Sequence, residues 1–197
     1  VSAFPENPGQ SDSVRAALRR HCLAAREALT EAQHHVHSMH IEDILFRHFS
    51  AQPPQTLAFC WPMRREFDPR PLMGRLLALG WQACMPVVIA PDTPMAFHRW
   101  YPEAAMKPGH YDIPVPAEAI ELLPDQVLVP LVAFDAQGYR LGYGGGYFDR
   151  TLAALAPLPA TIGVGFEVGR VDSIGPEAHD IPLDHIVTEA GFFSHRN

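Results

Sequence analysis

Near the start of the chain, apolar side chains recur at helical spacing: Val14, Leu18, Cys22, Ala25 and Leu29 fall three or four residues apart. That period predicts an amphipathic helix ending near Leu29, with Asp12 or Ser13 as its N-cap. Residues 1–12 lack the period and are expected to be a frayed leader. A second helix is expected from Glu31 or Ser38 to Phe49, and the segment Gln52 to Gln55, with two prolines, breaks it.

From there the pattern changes. Thr56 to Trp61 is a short apolar run, as in a strand buried on both faces. Pro69 to Leu79 returns to helical spacing, with Gly80 as its stop. Gln82 to Ile89 and Met95 to Trp100 are expected strands, and Lys107 to Pro116 an expected loop. Gln126 to Phe134 has the character of a central strand, followed by a turn at Asp135 to Gly138 and a glycine-rich loop at Tyr139 to Gly146. A helix is expected over Tyr147 to Leu155, with strands at Thr161 to Phe166 and His185 to Thr188. Alternation of strand and helix argues for an α/β fold with helices on the faces of one sheet. No linker or repeat divides the chain, so one domain is expected across residues 1–197.

Composition narrows the picture little. The 197 residues are 47% hydrophobic and 19% charged, a globular balance that excludes a wholly disordered chain. The net charge of −7 would repel bulk nucleic acid and anionic membranes but permits a local basic pocket. No apolar run approaches a membrane span, and Val1 to Gln10 shows no secretion signal, so a cytoplasmic location is expected. Three widely spaced cysteines, Cys22, Cys60 and Cys84, suggest reduced thiols rather than a disulfide framework.

Four segments carry candidate chemistry. In Gly142-Tyr143-Gly144-Gly145-Gly146, four glycines in five positions would let backbone N–H groups converge on an anion, and the helix that follows adds its N-terminal dipole. Arg140 could pair with phosphate there, and Asp149 could hold a divalent cation. The loop lacks the Lys-Ser/Thr ending of a Walker A motif and the third glycine of a dinucleotide fingerprint, so a ligand-free tight turn stays open. Arg15, Arg19 and Arg26 share one helical stripe, either a solvated basic face or, for Arg15 and Arg19, a second contact to phosphates. Glu66 follows a strand and could accept hydrogen bonds from a polar ring, while Asp68 before Pro69 is better placed to cap the next helix. Asp184 ends a carboxylate-bearing stretch, either a surface loop or a second ligand to the cation of Asp149. The tract His34, His35, His37, His40 fits no common zinc spacing and is expected to be a solvated helix start.

Taken in order, these segments resemble the 5-formyltetrahydrofolate cyclo-ligase family from about Ser13 to Thr188. The most specific part is Val129-Pro130-Leu131-Val132-Ala133-Phe134-Asp135 followed by Gly138-Tyr139-Arg140-Leu141-Gly142-Tyr143-Gly144-Gly145-Gly146-Tyr147-Phe148-Asp149-Arg150. Its companions are the arginine-rich first helix, the Glu66 segment, Ile113-Pro114-Val115-Pro116, and His179-Asp180 through Thr188-Glu189. The resemblance implies a three-layer α/β/α sandwich around a mostly parallel open sheet. It implies an enzyme that uses ATP and Mg²⁺ to turn 5-formyltetrahydrofolate into 5,10-methenyltetrahydrofolate; a monomer is expected. It assigns ATP to Arg15, Arg19 and the run Arg140, Leu141, Gly142, Tyr143, Gly144, Gly145, Gly146, Tyr147 and Phe148. It assigns folate to Trp61, Glu66 and Tyr143 to Tyr147, catalysis to Arg140 and Tyr147, and Mg²⁺ to Asp149 and Asp184. Arg64, Arg65 and Lys107 are candidates for a basic rim around the folate tail. The chain departs from the family pattern at Arg15, usually Lys, at Phe148, often Tyr, and at Tyr143 and Gly145, where some members carry Arg and Lys. A binding module that kept the fold, or a ligase for another formyl or carboxyl substrate, are the alternatives.

Overall fold

A computed structural model describes residues 8–195, with side chains from residue 14 onward. Helix α1 spans Pro8–Glu27 and α2 spans Glu31–Ser50. Strand β1 (Thr56–Ala58), α3 (Arg70–Ala78), β2 (Gln82–Val87) and β3 (Ala96–Trp100) follow. Next come the short β4 (Met106–Pro108) and β5 (Pro114–Pro116), then β6 (Gln126–Pro130), β7 (Ala133–Phe134) and β8 (Arg140–Leu141). Helix α4 (Tyr147–Ala154), β9 (Ala160–Val164), β10 (His185–Thr188) and β11 (Gly191–Ser194) complete the order.

Seven strands form the main sheet in the order β11-β10-β9-β6-β1-β2-β3. The five inner strands are parallel, and the edges β3 and β11 run antiparallel to their neighbours. The pleat sends alternate side chains to opposite faces. Leu57, Met85, Leu128, Ile162 and Val187 meet Ile41, Leu45 and Phe49 of α2 and Leu72, Met73 and Leu76 of α3. Ala58, Cys84, Val127, Val129 and Ile186 face the other way, toward Leu152 of α4, Phe134 and Leu183. Helix α1 forms a third cluster, with Cys22 and Leu23 on Val132, Ala133, Leu141 and Ile174. Full burial of each large aliphatic or aromatic side chain contributes about 1.5–3 kcal/mol. The sandwich around a mostly parallel open sheet is thus as expected.

Local chemistry explains the element ends. Thr30 and Gln33 form a capping box at α2, each side chain accepting the other's backbone N–H, which fixes the start at Glu31 rather than Ser38. Asp68 Oδ1 accepts the Arg70 N–H at 3.0 Å, satisfying a first-turn donor of α3 as expected. Three expectations are corrected. Helix α1 is already helical at Pro8, so residues 8–12 are not frayed and Asp12 and Ser13 lie inside it; residues 1–7 lie outside the described residues. The stretch Lys107 to Pro116 is a two-stranded hairpin, with Pro108 opposite Pro114, rather than loop. Strand β6 stops at Pro130, and the chain leaves the main sheet to form the β7–β8 hairpin. Asp135 Oδ1 closes that turn by accepting the N–H groups of Gln137 and Tyr139. All three cysteines are free, as expected.

Candidate functional site

The parallel strands end on one side in Cys60, Trp61, Val88 and Pro130, and a cleft of about 510 Å³ opens beyond these carboxyl ends. Open α/β sheets bind ligands in this place, and the volume suits a small molecule. The β7–β8 hairpin delivers the glycine loop to the cleft, and the β4–β5 hairpin contributes His110, Tyr111 and Val115 to its wall.

Within the loop, Gly144 (φ 102°) and Gly146 (φ 63°) take backbone angles that side chains resist, and Gly146 caps α4. Arg19 Nε donates to the Gly142 carbonyl at 3.0 Å, and Arg150 Nη2 donates to Gly145. Tyr147, the first residue of α4, lines the cleft, with its hydroxyl 3.2 Å from His110 Nε2.

Two ion pairs flank the loop. Arg140 is buried; its Nη1 donates to the Ile181 carbonyl at 2.7 Å and its Nη2 to Asp149 Oδ1 at 3.0 Å. Burial lowers the Arg140 pKa against the pull of Asp149, though a guanidinium stays charged in any protein. Asp149 Oδ1 also accepts the Ile181 N–H, whereas Oδ2 accepts no hydrogen bond among the described residues. Arg15 grips Asp180 with both terminal nitrogens, at 2.6 and 3.0 Å, and reaches the Gly175 carbonyl. Burial alone would raise the Asp180 carboxyl; the Arg15 hydrogen bonds, the Glu177 N–H and the Arg15 charge together outweigh it and hold the group below its ordinary range. The hydrogen bond to Asp180 raises Arg15 in turn.

At the other end stands Glu66, 8% exposed. Its Oε2 accepts the Met63 N–H at 2.9 Å and its Oε1 the Tyr143 hydroxyl at 2.8 Å, with Arg26 Nη1 3.8 Å away. Burial raises the Glu66 pKa, and the Met63, Arg26 and Tyr143 contacts oppose the rise. Trp61 lines the cleft beside it, with the Arg70 guanidinium 4.2 Å over its ring.

The structure therefore brings together Arg15, Arg19, Trp61, Glu66, Arg140, Gly142 to Gly146, Tyr147, Phe148 and Asp149. It leaves out two expected residues. Leu141 is buried beneath α1, where an inward β8 side chain must go. Asp184 precedes β10, so it lies at the amino ends of the parallel strands, opposite the cleft. There its Oδ2 accepts both the N–H and the hydroxyl of Thr161. The expected Asp149–Asp184 cation pair is not formed, because strand direction separates its members. Of the rim candidates, Arg64 lines the cleft but pairs with Glu27, Arg65 pairs with Glu31, and Lys107 donates to the Ala117 carbonyl. The histidine tract is not wholly solvated: His34 and His37 lie against Phe166, and His37 meets Glu189.

The sequence reading missed Asp180 as the partner of Arg15, the wall residue His110, and the burial of Arg26, 4% exposed. The last had a signal: Arg26 lies four residues after Cys22 and three after Leu23, on the buried stripe of α1.

A glycine loop entering a helix beyond the carboxyl ends of a parallel sheet, with arginines around it, is the arrangement of an open-sheet α/β protein that takes a small ligand at the strand ends. The model of the 5-formyltetrahydrofolate cyclo-ligase family matches residues 11–189, and the chain belongs to that family of enzymes. It is similar to the 5-formyltetrahydrofolate cyclo-ligase of Haemophilus influenzae, 27% identical over 193 residues that cover 92% of this chain and 98% of that protein. The Escherichia coli K12 enzyme of the same name is 32% identical over 130 residues, 62% of this chain and 71% of that protein. Among solved structures, the Aquifex aeolicus 5,10-methenyltetrahydrofolate synthetase superposes with a TM-score of 0.76 at 26% identity, covering 93% of this chain and 94% of that one. The Mycoplasma pneumoniae 5,10-methenyltetrahydrofolate synthetase gives 0.73 at 26% identity, covering 89% and 98%.

Proposed function

We propose that this enzyme converts 5-formyltetrahydrofolate into 5,10-methenyltetrahydrofolate, with ATP as co-substrate and Mg²⁺ as the accompanying cation, releasing ADP and phosphate. The observation that carries this is a single cleft that joins a glycine loop and Arg140 to Glu66 and Trp61. The formyl oxygen attacks the terminal phosphorus of ATP and ADP leaves. The neighbouring folate nitrogen then bonds to the activated formyl carbon, the C–O bond breaks, phosphate departs and the nitrogen gives up its proton. The formyl oxygen is a weak nucleophile, so catalysis rests on alignment and on cations placed where charge develops.

In this scheme Gly142 to Gly146 offers the phosphates close backbone approach, and the first turn of α4 adds its dipole. Arg140, buried and fixed by Ile181 and Asp149, keeps a cation beside the transferring group. Tyr147 lies at the junction of the two substrates. Glu66 accepts N–H donors of the pterin ring, and Trp61 covers an apolar part of the substrate. Asp149 fits Mg²⁺ through its uncommitted Oδ2; Asp184 does not, because its carboxylate lies outside the cleft and serves Thr161. Mg²⁺ is commonly held by one or two carboxylates together with substrate phosphates, which a single carboxylate at Asp149 could provide for. When bound, Mg²⁺ neutralises phosphate charge.

The same reading takes the chain as one cyclo-ligase domain, acting as a cytoplasmic monomer without nucleic acid or membrane partners. No helix among the described residues is long and apolar enough to cross a membrane. The test is turnover of purified protein with 5-formyltetrahydrofolate, Mg²⁺ and ATP, following the absorbance of methenyltetrahydrofolate. Product that disappears when ATP is omitted is expected. Saturable folate binding with neither product nor ADP would replace this reading by a binding module.

A further inference from the structure

The reaction gives Arg26 no task, yet the fold buries it deeply. Each of its guanidinium nitrogens has a partner: Nε donates to the Arg64 carbonyl at 3.0 Å, Nη1 to the Leu131 carbonyl at 3.0 Å and Nη2 to the Tyr143 hydroxyl at 2.7 Å. Those partners come from the segment after β1, the end of β6 and the glycine loop, so Arg26 is a fixed cation where three parts of the cleft meet.

Hydrogen-bond direction follows from this. Arginine has no acceptor, so the Tyr143 oxygen must accept from Arg26 and its one proton must point at Glu66 Oε1. Oε2 already accepts the Met63 N–H. Both oxygens of Glu66 therefore act as acceptors, which suits the carboxylate rather than the acid. In that state each oxygen keeps a lone pair for an N–H donor of a ligand.

Burial works against the carboxylate, since a low-dielectric site favours the neutral acid. The groups around Glu66 show what opposes this. From α1 comes Arg26 and from the glycine loop Tyr143. At the end of β1 lies Cys60, a thiol pushed far up by burial and then by Glu66, hence uncharged at neutral pH. On its own segment, Arg64 and Arg65 engage Glu27 and Glu31. Arg26 is thus the cation committed to Glu66 among these neighbours.

We infer that Arg26 is a positioning residue for folate recognition: directly and through Tyr143 it keeps Glu66 ionised, with both oxygens ready to accept N–H donors of the pterin ring. This rests on the reading of Glu66 as the pterin-binding carboxylate. A protonated Glu66 would present an O–H toward a ligand N–H, and two donors would face each other.

The experiment compares the KM for 5-formyltetrahydrofolate between pH 6 and 9 in the wild type, Arg26→Gln, Arg26→Lys and Tyr143→Phe, with the ATP KM measured alongside. Arg26→Gln is expected to raise the folate KM at pH 6.5, by about tenfold for each unit by which it carries the Glu66 titration above that pH. The rise should vanish as the pH climbs and the carboxylate returns, while kcat at saturating folate and the ATP KM stay near wild type. Arg26→Lys keeps the charge and should restore most of the low-pH affinity. Tyr143→Phe removes one donor to Glu66 from a half-exposed residue, and should give the same pH trend with a smaller amplitude. In a Glu66→Gln background, Arg26→Gln should add no pH dependence.

An unchanged folate KM in Arg26→Gln, or one raised equally at every pH, would overturn the inference, since a purely structural role predicts no rescue by base. If Arg26→Gln does not fold, the pH trend in Tyr143→Phe decides by itself. Direct titration with 5-formyltetrahydrofolate, read by tryptophan fluorescence, separates the two proposals. A wild type that binds folate without turnover defeats the proposed reaction, whereas loss of the pH-dependent difference between variants defeats the role of Arg26.

Discussion

The two ends of the cleft both pair arginine with carboxylate, but they are wired differently. At the glycine-loop end the contacts are direct: Arg15 to Asp180 at 2.6 Å and Arg140 to Asp149 at 3.0 Å. At the Glu66 end the nearest Arg26 nitrogen is 3.8 Å away, and the Tyr143 hydroxyl stands between them. Direct pairs suit a place that must hold charge before an anion arrives, because each cation is already oriented and desolvated. The indirect pair suits a carboxylate that is itself the recognition element, because it stays charged while its lone pairs remain available. Under the proposed reaction the difference matches the ligand each end would receive, phosphate at one and ring N–H donors at the other.

Substitutions at the two ends test this contrast. The largest effect is expected from Arg140→Met, which removes the buried cation at the phosphate end. Loss of one such preorganised group lowers kcat by about 10²–10³-fold. Steady-state kinetics should show that loss with the folate KM nearly unchanged, and circular dichroism checks the fold. Asp149→Ala should weaken the response to Mg²⁺, seen as a rightward shift of the Mg²⁺ activation curve. Asp184→Asn should leave that curve in place.

The opposite end should answer in the other kinetic parameter. Glu66→Gln keeps the shape but loses charge-assisted acceptance of ligand N–H groups, a contribution of about 1.5–3 kcal/mol. The folate KM should rise accordingly while the ATP KM holds, as substrate-saturation curves would show. Equal effects of Arg140→Met and Glu66→Gln on both substrates would mean that the cleft is not divided in this way.

A smaller effect is expected at Asp180. Removing one partner of an enclosed, hydrogen-bonded ion pair by Asp180→Ala should lower unfolding stability by ~1–3 kcal/mol in urea titrations. The pH dependence has a definite sign. Asp180 titrates below its ordinary value of 3.8, so its contribution is present above that value and is lost as the pH falls through the lowered one. Acid unfolding curves of wild type and Asp180→Ala should therefore converge at low pH. Gly144→Ala should matter least. Its φ of 102° strains any side chain, though the new Cβ would meet only Arg19 atoms at 3.7 Å or more. A cost of about 1 kcal/mol is expected, visible as a severalfold higher ATP KM.

Elements with a clear period or an unbroken apolar run were legible in the chain. The runs Thr56 to Trp61, Gln82 to Ile89 and Thr161 to Phe166 correspond to β1, β2 and β9; β1 keeps half of its run, β2 stops two residues early, and β9 starts one residue before its run and stops two early. Short pieces were not legible. Strands β4 and β5 have three residues each, with prolines that would disqualify a central strand, and they pair only with each other. Strand β11 owes its place to a tight return after Thr188, which sets it antiparallel to β10.

The helix periods, the apolar strands, the glycine loop ahead of α4 and the order of motifs that identifies the family are all written in the chain. These are local properties, written in neighbouring residues and their spacing. That Arg15 meets Asp180, that Arg26 reaches Glu66 through Tyr143, and that Asp184 lies at the far end of the strands from Asp149 emerges once the chain is folded. Those outcomes depend on strand direction and on which helix covers which hairpin. An arginine on a helical stripe carries the same spacing whether that stripe faces water or a buried carboxylate; what lies opposite is set by segments far along the chain, 38 residues away for Arg64 and 165 for Asp180.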